Sequence, residues 1–271
     1  MGLRSMLAKL VGAGDQGDHA VATAQAPADG SATTIDENGL LIQAFDEVVE
    51  AGLMLDVGAH YGTTSLPFLS RGWRVIGFEP DKAKHARLKA IAAEEPRFEL
   101  LACAVGERRQ EGVQFYTSDE SSGIASLVPF RDSHTEGAQV RVRPLDEVLS
   151  ERSIEHVDYL KVDAEGYDLR VLQGFPFDRI KPTAILCEFE DEKTRRIGYS
   201  TDDLGEYLCA QGYTVFMSEW HPIVRYGITH TWRSLRQYPC SLTDPNGWGN
   251  FIAVRPGPFE EALRRAASRW M

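Results

Sequence analysis

The stretch Leu53-Met54-Leu55-Asp56-Val57-Gly58-Ala59-His60-Tyr61-Gly62-Thr63-Thr64-Ser65-Leu66 narrows the possible folds more than any other part of the chain. Leu53 to Val57 suits a short buried strand. Gly58 and Gly62 suit a tight turn, because glycine tolerates positive φ and lets a ligand approach the backbone. A helix starting near Gly62 would aim its first N–H groups at whatever binds there. Val75-Ile76-Gly77-Phe78-Glu79-Pro80 strengthens this reading, as a second apolar strand ending in an acid 23 residues after Asp56. Nucleotide-binding units place a carboxylate for ribose hydroxyls at about this distance.

Glycine spacing separates two ligand classes. A dinucleotide turn reads G-x-G-x-x-G around a pyrophosphate, whereas Asp56 to Gly62 supplies only two of those glycines. An Asp at the strand end followed by G-x-x-x-G resembles motif I of class I S-adenosylmethionine-dependent methyltransferases. Their ligand carries an amino-acid moiety where a dinucleotide carries phosphates.

The remaining pattern alternates strands with helices. Helices are expected at 35–51, 62–71, 82–93, 145–149, 167–173 and 201–211, with Pro80 in the first turn of the third. Strands are expected at 53–57, 74–78, 98–105, 157–163, 182–189, 213–217 and 249–254. This order predicts an α/β fold: a doubly wound, mostly parallel seven-stranded Rossmann-like sheet. The methyltransferase domain would span 35–256, with a β-rich insertion at about 107–143 and a lid-like loop at about 218–248. That loop shows no period and carries Trp220, His221, Tyr226, His230, Trp232 and Tyr238; rings there suit stacking on a sugar or another flat apolar face. Residues 257–271 form a terminal helix. Residues 1–34 read as a flexible segment, beginning with a short amphipathic stretch at 1–11.

With 271 residues and 43% hydrophobic content, the chain can bury one substantial core. Its net charge of −11 opposes non-specific nucleic-acid binding. Cys103, Cys187, Cys209 and Cys240 lack C-x-x-C spacing, and Cys103 and Cys187 sit in apolar runs that suit reduced core residues. No apolar run approaches the ~18 residues of a membrane span, and no secretory signal is evident. A cytoplasmic protein without stable membrane insertion is expected; oligomeric state is not legible.

Four linked motifs together resemble the FkbM family of methyltransferases. They are Leu55-Asp56-Val57-Gly58-Ala59-His60-Tyr61-Gly62, Gly77-Phe78-Glu79-Pro80, Ala104-Val105-Gly106, and Leu160-Lys161-Val162-Asp163-Ala164-Glu165-Gly166-Tyr167-Asp168-Leu169-Arg170-Val171-Leu172-Gln173-Gly174. Ser121-Ser122 resembles a serine pair in the family's central insertion, and His60 stands where Asn is usual. The resemblance covers roughly 53–254. It implies S-adenosylmethionine as methyl donor and a hydroxyl of a sugar, glycan or natural product as acceptor.

Candidate donor-binding residues are therefore Asp56, Gly58, His60, Gly62, Glu79, Ala104 and Asp163, with Asp56 and the turn amides holding the amino-acid end. Candidate catalytic residues are Asp163 and Glu188, orienting the acceptor hydroxyl, with His134 or His221 taking its proton. Asp163, Glu165, Glu188, Glu190 and Asp191 would share one rim, where Glu190 and Asp191 read as solvated loop charges. A divalent metal at that rim is the less favoured alternative, since no His or Asn completes a ligand set. Two other readings stay open: a non-catalytic S-adenosylmethionine-binding module, and an NAD-dependent oxidoreductase, which would want the third glycine.

Overall fold

The computed structural model describes residues 34–226 and 228–271. The expected helix at 1–11 and most of the flexible segment lie outside the described residues. Helix α1 (Glu37–Val48) starts at Asp36, whose side chain accepts from the Gly39 N–H at 2.8 Å, satisfying one orphan donor of the first turn. The strands β1 (Leu53–Val57), β2 (Arg74–Phe78) and β3 (Phe98–Leu101) alternate with α2 (Ser65–Leu69) and α3 (Lys82–Glu94). Then come β4 (Ala104–Val105), β5 (Gln110–Ser118), β6 (His134–Arg143) and α4 (Leu145–Glu151). The second half holds β7 (Tyr159–Val162), α5 (Asp168–Gln173), β8 (Ala184–Glu190), α6 (Asp191–Thr194), α7 (Thr201–Ala210) and β9 (Thr214–Trp220). It closes with β10 (Trp232–Gln237), β11 (Trp248–Val254) and α8 (Pro258–Ala266).

The main sheet has the order β10-β9-β11-β8-β7-β1-β2-β3. Pairings from β3 through β8 are parallel, while β11 is antiparallel to both β8 and β9, and β10 to β9. All strands except β10 and β11 therefore point one way. The order reverses between β1 and β7, and ligands bind at such switch points beyond the strands' carboxyl ends. Side chains alternate along these strands. Leu55, Val57, Leu160 and Val162 enter one core; Met54 and Tyr159 enter the other. That period puts Asp56 and Lys161 on the second face, and they stand opposite each other in the β1–β7 register.

Several elements differ from expectation. The third strand splits: β3 stays in the main sheet, and β4 leaves it to pair with β6 in a separate β4-β6-β5 sheet. Helix α2 is shorter than 62–71, because the turn after Gly58 runs on to Thr64. Pro80 precedes α3 rather than opening it; Asp81 is the cap, accepting from the Ala83 N–H at 2.9 Å. Among the described residues the sheet has eight strands rather than seven. The extra one, β10, lies inside the stretch expected to be an irregular loop, and β9 runs on to Trp220. The irregular part shrinks to two connections, one between β9 and β10 and one between β10 and β11. Trp232-Arg233-Ser234-Leu235-Arg236-Gln237 lacks an apolar alternation because most of its residues stay partly exposed at the sheet edge. Among the described residues no helix is long and apolar enough to cross a membrane, and the four cysteines are free, with Cys103 and Cys187 buried.

Candidate active site

A cavity of about 720 Å³ opens over the switch point, within the size range of small-molecule sites. Gly58, His60, Glu79 and Ala104 line it, and so do Asp163, which adjoins Gly58, and Glu165 and Glu188.

The glycine turn is held tightly. Gly58 has φ of +75°, His60 +51° and Gly62 +78°. Asn and His are among the non-glycine residues most often found at positive φ, so His60 suits a position where Asn is usual. The amides of Gly58 and Ala59 both donate to the Phe78 carbonyl at 3.0 Å, that of His60 to Glu79 Oε2 at 2.8 Å, and that of Gly62 to the Ala59 carbonyl at 2.7 Å. The expectation that turn amides greet a ligand therefore fails at these four positions, since the turn consumes them itself. Gly62 faces α3 instead of the cavity: a Cβ there would lie 2.7 Å from Ile91 Cδ1.

Glu79 follows β2 and is 5% exposed. Its Oε1 accepts from the Asp81 N–H at 2.8 Å, while Oε2 takes that of His60. Burial pushes its carboxyl up to about 7, against the pull of those amides and of Lys84. Each carboxylate oxygen can accept more than one bond, so both retain capacity toward the cavity.

Asp56 is placed differently from expectation. It is sealed beneath the cavity floor, accepting from Ser65 Oγ at 2.6 Å, with Lys161 Nζ 3.5 Å from its other oxygen. Burial raises its pKa, partly opposed by Lys161. Lys161 is 6% exposed and lines the cavity. Its ammonium donates to the Gly58 carbonyl at 2.8 Å and the Val57 carbonyl at 3.3 Å, and pairs with Asp163 at 3.2 Å. Burial alone would depress Lys161, but Asp163 and Asp56 more than reverse this and hold its pKa above the usual value.

The acidic end is built around a second lysine. Lys193 Nζ lies 2.6 Å from Glu165, 3.0 Å from Glu188 and 2.9 Å from Glu190. Its three N–H donors match three carboxylates. Glu190 is thus a buried ion-pair partner rather than a solvated loop charge. Burial pushes Glu165 up to about 8 and Glu188 well above the carboxylate range, despite Lys193. Glu165 sits at φ +51° in a turn pinned by Asp168, which accepts from the Ala164 and Gly166 amides at 2.9 and 3.0 Å. Ligand atoms of Asp163, Glu165 and Glu188 lie within 4.8 Å of one another, close enough to share a cation.

Both histidines proposed as bases lie elsewhere. His134 Nδ1 accepts from the Arg131 N–H at 3.0 Å, and its Nε2 meets the Ile124 carbonyl at 2.8 Å; the ring clasps the insertion and is absent from the cavity lining. His221 is exposed beyond the lining, with Arg233 2.9 Å from its Nδ1. His60 and His230 line the cavity instead, and His60 Nε2 is 3.1 Å from Ser122 Oγ, joining the turn to the insertion. The insertion and the β9–β10 connection form the cavity's outer wall through Phe115, Ser121, Ile223 and Tyr226. Trp248 stacks on Trp220 at 5.6 Å beside them.

Lys161 and Lys193 escaped the sequence reading. The signal for Lys161 was a charge inside an otherwise apolar strand. Lys193, in Asp191-Glu192-Lys193-Thr194, looked like any surface residue.

A mostly parallel sheet, a glycine turn at its switch point and a carboxylate after the second strand define a Rossmann-like methyltransferase. The chain belongs to the FkbM methyltransferase family: residues 56–215 match its methyltransferase FkbM domain. The AMB antimetabolite synthetase AmbE of Pseudomonas aeruginosa is 25% identical over 251 residues, covering 79% of this chain and 11% of that protein. The chain thus spans about a tenth of that relative's length. Among solved structures, TehB from Haemophilus influenzae superposes with a TM-score of 0.45 at 10% identity, over 82% of this chain and 63% of that one. A putative caffeoyl-CoA O-methyltransferase from Staphylococcus aureus gives 0.40 at 14% identity, over 81% and 85%. Likenesses this distant carry no argument about the site.

The methyl donor is S-adenosylmethionine, as the family match implies. The cavity suits it: Glu79 retains acceptor capacity for hydroxyls, and Gly58 leaves the backbone bare.

Proposed function

We propose that this protein is an O-methyltransferase acting on a hydroxyl of a sugar, glycan or natural-product acceptor. The observation that carries this reading is one continuous cavity lined by a glycine turn and by a carboxylate cluster. Gly58, His60, Glu79 and Ala104 belong to its lining, Asp163 follows beside Gly58, and Glu165 and Glu188 complete it together with Trp220, Tyr226 and Trp248. In this reading Glu79 accepts hydrogen bonds from the donor's ribose hydroxyls, and Ala104 lies beside its base.

The donor supplies an electrophilic methyl group on a sulfonium, so alignment provides much of the acceleration. The chain's own part lies with the acceptor. Glu188 receives the hydroxyl and orients its lone pair, Asp163 stands between it and the donor, and the carboxylate cluster takes up the proton released. Lys193 keeps Glu165 and Glu188 at fixed separation. A cation shared by Asp163, Glu165 and Glu188 would serve the same end, but Lys193 already neutralises part of their charge. The aromatic wall suits the apolar face of a sugar or a flat ring. The net charge of −11 and the acidic lining favour a small neutral acceptor over a nucleic acid.

The test is incubation with labelled S-adenosylmethionine and panels of sugars, phenols and amines. Label appearing as methyl ethers supports the reading. Label appearing only on nitrogen or carbon, or on RNA, replaces it.

A further inference from the structure

Lys161 is the most heavily engaged cation at the donor end, and nothing in the motif comparison assigns it a role. Four oxygens from two backbone segments surround its ammonium: the carbonyls of Val57 and Gly58, a carboxylate oxygen of Asp56 and one of Asp163. Asp56 faces it from β1 and Asp163 from the loop after its own strand; on β8 its register partner is the apolar Leu186. Asp56 is fully enclosed, so no donor atom reaches it in this arrangement. Asp163 is the accessible member, with a side chain 33% exposed and lining the cavity.

We propose that Lys161 is the positioning residue for the donor's amino-acid end. It neutralises the sealed Asp56, ties the Val57 and Gly58 carbonyls to the end of β7, and so presents Asp163 to the donor's ammonium group. Asp56 then acts at one remove. It fixes Lys161, rather than meeting the ligand as its place in the motif suggests. The assignment rests on the donor placement proposed above and adds which carboxylate carries the amino group and what aims it.

The probes are S-adenosylhomocysteine, which keeps the amino-acid end, and 5′-methylthioadenosine, which lacks it. Both are titrated calorimetrically into wild-type protein and into Lys161→Met, which keeps chain length without charge. Lys161→Met is expected to bind S-adenosylhomocysteine about ten- to a hundredfold more weakly, the worth of one charge-assisted bond, while 5′-methylthioadenosine binds as before. Equal loss for both ligands, or no loss for either, overturns the proposal, because a general loosening of the cavity does not discriminate between them. A wild-type protein that binds neither ligand refutes the donor placement itself. Should Lys161→Met not fold, a crystal structure of the wild-type complex decides: the ligand's ammonium on Asp163, with Lys161 behind it, is expected. A ligand touching Lys161 directly, or an ammonium placed away from Asp163, overturns the assignment.

Discussion

A Cβ placed on Gly58 would lie 2.0 Å from the carbonyl oxygen of Asp163. The first strand's turn and the fourth parallel strand's end are in backbone contact there, at the point where the sheet order reverses. Glycine is required twice over: for that approach, and for its φ of +75°. Gly58→Ala is therefore expected to cost about 2–4 kcal/mol, from left-handed backbone strain and overpacking together. Urea unfolding measures the loss, and the folded fraction should no longer bind S-adenosylhomocysteine.

Glu79 makes donor binding pH-dependent. Its folded pKa is raised from 4.5 to about 7, so the sign runs against the usual carboxylate. Its contribution to stability is present below 4.5 and lost as pH rises through about 7. Ribose hydroxyls bond the ionised form more strongly, so S-adenosylhomocysteine affinity should rise across that range, with proton release. Calorimetry in buffers of different ionisation enthalpy detects the proton. Glu79→Gln should abolish the release, and Glu79→Ala should weaken binding by about 1–3 kcal/mol.

Lys193 binds three carboxylates that have little other neutralisation. Removing it leaves them buried and unpaired, a change that costs about 3–5 kcal/mol in comparable sites. Lys193→Met should accordingly melt well below wild type in alkali and recover part of the difference toward neutral pH, where Glu165 and Glu188, whose affinity for a proton burial already raises, become neutral. Thermal scans from neutral to alkaline pH check this. A deficit that does not change with pH would separate the loss from the carboxylates.

Glu188→Gln should leave the fold and donor affinity near wild type. The amide keeps the shape of Glu188 and an oxygen for the Lys193 ammonium, but not the high proton affinity that burial gives the carboxylate. Turnover of a hydroxyl acceptor, once one is found, should fall by about 10²-fold or more, as for loss of a general base. Retained turnover excludes Glu188. Activity surviving exhaustive chelation excludes a metal at Asp163, Glu165 and Glu188.

Local pattern was enough to read β1 and β2 from the sequence to the residue, because both are short, apolar and bounded by glycine turns. It also placed Gly58, Glu79, Ala104, Asp163 and Glu188, each marked by its position at or near the end of a strand, and all five line the cavity. Pattern could not say which polar groups are already satisfied. Asp56 has the motif position of a ligand contact, yet a strand neighbour and a helix serine seal it from the cavity. His134 and His221 have suitable chemistry, but backbone and side-chain contacts fixed by the tertiary fold hold their rings outside the cavity lining. Lys161 and Lys193 acquire meaning only once parallel strands set carboxylates from distant segments around each ammonium. A strand's period is encoded within a few residues, whereas the partner of a buried charge depends on which strands become neighbours. That pairing was decided by the tertiary structure alone.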